Sequence, residues 1–95
     1  MDTGAGSLKC VAGWSPSRSL GDSLEQALRA HAGDERVRHL YGDAFLVYTE
    51  ADTSTVRDWL APLLEESESV FVVEFERWSG HGPAIDSRWL MRRGH

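Results

Sequence analysis

Between residues 44 and 77 the spacing of apolar positions switches from two to 3.6 and back to two. Residues 44–50 (AFLVYTE) set Phe45, Val47 and Thr49 against Ala44, Leu46 and Tyr48. Both sides are apolar, which predicts a strand covered on both faces. Val56, Trp59, Leu60, Leu63 and Leu64 then fall at i, i+3, i+4, i+7 and i+8, which predicts a helix over 53–66. Asp52, Thr53 and Ser54 each offer an oxygen to cap its start. Burying this stripe is worth on the order of 10 kcal/mol gross, at about 1.5–3 kcal/mol per large side chain. Pro62 inside a helix costs roughly 3 kcal/mol, so the balance predicts a kink rather than a stop. A polar run over 65–69 turns the chain. Residues 70–77 read as a strand with Phe71, Val73 and Phe75 on one face. Val70, Val72, Glu74 and Glu76, with Trp78 beyond them, take the other.

Upstream, residues 1–7 are small and polar and read as a frayed, disordered terminus. Over 8–14, Leu8, Cys10, Ala12 and Trp14 alternate with Lys9, Val11 and Gly13, as in a strand. A Ser- and Pro-rich loop follows at 15–19. Asp22 and Glu25 stand at capping-box spacing, and Leu20, Leu24, Ala27, Leu28 and His31 share one side of a helix over 22–32 that Gly33 closes. His31 in the last turn suits the helix dipole better than it suits a ligand set. Residues 36–41 set Val37, His39 and Tyr41 against Arg36, Arg38 and Leu40, and Gly42-Asp43 makes a hairpin turn into residue 44.

The order is therefore β-α-β-β-α-β. It predicts an α+β, ferredoxin-like domain over 8–77: a four-stranded antiparallel sheet with two helices on one face. The other face is expected to be bare, carrying some of Val72, Trp78, Val11, Leu46 and Arg38 according to register. A bare apolar face marks a partner surface, most often another copy. Residues 78–95 form a basic-aromatic C-terminal segment. Within it 79–83 is a turn, and 84–92 is a short helix whose Ile85 and Trp89 at i, i+4 anchor it to a sheet edge or a partner chain.

Composition narrows the function classes. Ninety-five residues with 41% hydrophobic side chains give one domain with a core of its own. The single cysteine, Cys10, excludes an internal disulfide framework and a cysteine-based zinc site. It lies in an apolar run, which favours an inert thiol over a nucleophile. No stretch approaches the roughly 20 apolar residues of a membrane span, and no secretion signal opens the sequence, so a cytoplasmic protein is expected. The net charge of −5 hides an asymmetry. Residues 1–76 carry 6 Lys/Arg against 14 Asp/Glu, or −8, and residues 77–95 carry 4 against 1, or +3.

Two constellations invite chemistry. Glu74, Glu76 and His81 resemble a metal set, but alternating glutamates on a strand are usually its wet face, so no metal and no cofactor are expected. No phosphate-binding loop, dinucleotide fingerprint, nucleophile elbow or zinc-protease motif is present. Arg77, Arg88, Arg92 and Arg93 are interleaved with Trp78, His81 and Trp89. Arginine forks suit phosphates and tryptophans stack on bases, although a solvated basic face balancing the acidic body explains the same residues. These seven residues are the candidate partner-binding set. The leading expectation is a non-catalytic, dimeric module binding a protein or nucleic-acid partner. The alternative is an enzymatic or small-molecule-binding domain with a pocket between sheet and helices, drawing on Trp14, His39, Tyr41 and Trp59.

The element order and the phrase AFLVYTEADTSTVRDWLAPLLEESESVFVVEFE resemble the small ferredoxin-like dimeric subunit of the CRISPR adaptation machinery and its SinR-like relatives. The likeness covers element order over 8–77 and sequence character over 44–76. It implies a dimer. Catalytic members of that group hold a divalent metal with an aspartate at the end of the first strand. This chain has Gly13-Trp14-Ser15 there, so nuclease activity is not implied.

Overall fold

The computed structural model describes residues 6–93. Most of the terminus expected to fray, residues 1–5, lies outside the described residues. The elements in order are β1 (Ser7–Trp14), α1 (Gly21–Ala32), a 3-10 turn (Asp34–Arg36), β2 (Val37–Tyr41), β3 (Ala44–Thr49), α2 (Thr53–Leu60), a second 3-10 turn (Ala61–Leu63), β4 (Ser69–Phe75) and α3 (Ser87–Arg92). The strands form one antiparallel sheet in the order β2-β3-β1-β4. The two βαβ halves thus interlock, each placing a strand of the other between its own pair, and the fold is ferredoxin-like.

Register separates the two faces. Val11 lies opposite both Phe45 and Val72, and Val37 opposite Val47. These side chains meet Leu24 and Leu28 of α1 and Val56 and Leu60 of α2 in the main core, with Leu20 at its edge. Gly13 lets α1 come close, because a Cβ there would sit 2.7 Å from Leu24 Cδ1. Gly33 ends α1 at φ 103°, a region open to glycine, and donates its N–H to the Arg29 carbonyl. Asp52 caps α2, accepting from the Thr55 N–H at 2.8 Å. That bond lowers the pKa of its carboxyl.

The opposite face is where sequence and structure part. It is expected to be bare, yet α3 and the segment before it fold back over its β2–β3–β1 side. Leu8, Leu46 and Tyr48 pack there against Trp89 and Leu90, flanked by Cys10, Leu40, Phe75, Trp78 and Ile85. The segment packs on the sheet's face, not on its edge. Of the residues expected on the bare face, Val11 and Val72 belong to the main core instead.

Four local expectations are corrected. α2 stops at Leu60 instead of kinking through to 66, because Pro62 has no N–H for the Asp58 carbonyl. The chain leaves as a 3-10 turn, which turns Leu63 outward and keeps Leu64 half-buried. No side chain of α1 itself caps its start, so the Asp22–Glu25 box is not made. Asp43 of the β2–β3 turn instead fixes the two residues that lead into the helix, accepting from Leu20 N–H and Ser19 Oγ–H at 3.1 Å each. Glu25 pairs instead with Arg29 at 2.8 Å. A bulge between His39 and Tyr41 sets Tyr41 opposite Ala44, on the face away from α1 and α2. Finally, β4 ends at Phe75 and α3 begins at Ser87, so Glu76, Arg77 and Ile85 lie outside regular elements.

Candidate functional site

The basic-aromatic set is divided by the fold. Trp89 is fully buried, and its Nε1–H donates to the Glu35 carbonyl at 2.7 Å. Arg93 spreads over the rings of Trp89 and Tyr48, 5.1 and 5.5 Å from their centroids, and gives an Nη2–H to the same carbonyl at 2.7 Å. Arg38 also lies against the Trp89 ring, 5.6 Å from its centroid, and pairs with Asp86. Asp86 in turn caps α3 by accepting from the Trp89 N–H, the main reason its carboxyl pKa is lowered. Trp78 is half-buried in the same cluster. Arg77, His81, Arg88 and Arg92 are exposed. A cleft of about 280 Å³ runs between Glu35, Arg38, Trp89, Arg92 and Arg93. The ring offered for stacking on a base is therefore spent on the fold, held there by Arg93 of the set and by Arg38 of β2.

The other sets are not gathered either. Among the described residues no group of three or more His, Cys, Asp or Glu side chains is placed to hold a metal ion. Glu74 accepts from Ser7 Oγ–H at 3.1 Å and lies 3.5 Å from Lys9 Nζ. Lys9 is buried, and Ser7 Oγ, the Thr49 carbonyl and Glu74 surround its ammonium, so its donors are taken. Trp14 and Tyr41 belong to the face away from α1 and α2. His39 rests on Phe45 with its ring 4.9 Å away, and Trp59 stacks on His31 at 4.6 Å with an interplanar angle of 5°.

Sequence reasoning missed two features. One is Glu68, in the polar run read only as a turn. Its side chain is buried, gripped through both oxygens by Arg18 and held by Ser15 Oγ–H and the Glu65 N–H. Chiefly through Arg18, its carboxyl pKa is held at about 2. The partner lies 50 residues away, and no local pattern announces it.

The second is the part of the sheet that the C-terminal segment leaves uncovered. Tyr41 faces Ala44, Ala44 faces Ala12, and Ala12 faces Phe71, one continuous row across all four strands. Trp14 and Val73 flank it on the same side. Tyr41 is 77% exposed, Phe71 67%, Trp14 58% and Val73 40%. Rings stand at both ends of the row with two methyl groups between. The alternation of strands announced an apolar face, but only register shows that these residues share a row.

Comparison with protein-family models, with curated proteins and with solved structures returns no match. Among the described residues no helix is long and apolar enough to cross a membrane.

Proposed function

We propose that this chain is a non-catalytic interaction module that works as a homodimer, joined through the uncovered row Tyr41–Ala44–Ala12–Phe71. The single observation that carries the reading is that row, whose two exposed rings, with that of Trp14 beside them, make one apolar patch. At about 200 Å² per aromatic side chain, their exposed fractions amount to roughly 400 Å² of apolar surface. That is the size at which a surface patch signals a partner. It is also about half of the roughly 800 Å² that each partner buries in a standard interface.

The shape favours a second copy over an unrelated protein. In the proposed dimer a two-fold axis parallel to the row would set Trp14 of each copy on the Ala12–Ala44 floor of the other. Isologous pairing of this kind uses one patch twice and needs no second surface. Likeness to the dimeric CRISPR-associated and SinR-like proteins points the same way. The proposed compartment is the cytoplasm, where a half-buried thiol such as Cys10 stays reduced. Nucleic-acid binding is the weaker reading, because Trp89 is buried and Arg93 is engaged.

A dilution series followed by backbone amide NMR tests the proposal. Resonances of residues 12, 14, 41, 44, 71 and 73 are expected to move together as the protein is diluted, while those of α1 stay fixed. Shifts confined to α3 and residues 77–81, or appearing only on addition of DNA or RNA, would overturn it.

A further inference from the structure

Between the sheet and the segment that returns over it lies a cavity of about 290 Å³. Cys10, Leu46 and Phe75 line it from the sheet side, and Trp78 and Ile85 from the returning segment. Arg77 is the one charged residue among its described lining. That guanidinium makes no hydrogen bond or ion pair with a described residue, whereas Arg18, Arg29, Arg38 and Arg57 are each paired with a carboxylate. We propose that the cavity binds a small amphipathic monoanion, an apolar tail or ring inside with its carboxylate on Arg77.

The chemistry follows from the walls. A mostly apolar cleft with a few polar groups on its wall is the usual form of a small-molecule site, and here Arg77 and Ser79 supply them at a half-open mouth. Water occupies about 30 Å³ per molecule, so this volume suits a ligand of about ten non-hydrogen atoms. A carboxylate matches the planar fork of an arginine in charge and geometry, which a cation or a neutral head cannot do. The site is formed within one chain and does not depend on the homodimer reading, although Val73 both lines it and flanks the row proposed to join two copies. It also differs in place from a pocket between the sheet and its two long helices, because it lies on the opposite face.

The test uses the full chain and three eight-carbon probes below their micelle concentrations: octanoate, octanol and octylammonium. Calorimetric titration is expected to show saturable 1:1 binding of octanoate, about tenfold or more tighter than octylammonium, the worth of one charge-assisted hydrogen bond. Arg77→Gln is expected to remove that preference while leaving the affinity for octanol and the melting temperature unchanged. Octanoate is also expected to slow alkylation of Cys10, which lines the cavity. Equal affinity for all three probes, or no binding, would overturn the proposal. So would octanoate binding that neither protects Cys10 nor responds to Arg77→Gln, since it would then lie elsewhere.

Discussion

Trp89 and Glu35 are joined by a 2.7 Å hydrogen bond from the indole Nε1–H to the backbone carbonyl. It ties α3 to the turn before β2, across 54 residues of sequence. The ring fills the second core while its one donor is satisfied, which is how a tryptophan can be fully buried. Trp89→Ala is therefore expected to cost about 3–5 kcal/mol, the range for losing a buried large aromatic. Urea denaturation measures it, and dye binding to the newly exposed sheet face should rise in step.

The arginines of the C-terminal segment should not behave alike. Arg93 bridges Tyr48, Trp89 and the Glu35 carbonyl, so Arg93→Ala is expected to lower the melting temperature measurably. Arg88 and Arg92 are exposed, and replacing either with alanine should change stability by less than about 0.5 kcal/mol. Thermal melts of the three single variants check the ordering.

Leu60 lies at the centre of the main core with no exposed surface. Leu60→Ala is expected to cost about 2–5 kcal/mol, and Leu63→Ala, on the outward side of the following 3-10 turn, much less. Denaturant midpoints of the two variants compare them directly.

Glu68 sets an acid limit. Its carboxyl ionises at about 2 in the folded protein against an ordinary 4.5, chiefly because Arg18 grips it. A lowered pKa means that the unfolded chain takes up the proton first. The stabilisation is complete above about 4.5 and is lost as pH falls towards about 2. Melting temperature plotted against pH should fall across that window, and Glu68→Gln should flatten that part of the curve while lowering its neutral plateau.

Much of the fold is legible in the sequence because the two periods are clean. The Val56–Leu60 stripe, the β3 alternation and the Gly42-Asp43 turn each call for a single local structure. What was not legible depends on residues far apart. Asp22 has the spacing of a cap, yet Asp43 fixes the lead into α1 because the hairpin turn is packed against its start. Tyr41 has the parity of Val37 until a single-residue bulge reverses it. Glu68 belongs to an acidic run and shows its burial only beside Arg18. The exposed row was hidden for a similar reason. Its four members come from four strands, and spacing along one strand says nothing of the register between them.

The central claim is that the uncovered row joins two copies, and sedimentation equilibrium tests it most directly. One chain weighs 10.6 kDa. The wild-type protein is expected to approach twice that mass as its concentration rises, and Phe71→Glu, which sets a charge at the end of the row, to stay at the monomer mass while remaining folded. A wild-type chain that sediments as a monomer at every concentration, or a Phe71→Glu variant that dimerises as well as wild type, would contradict the account.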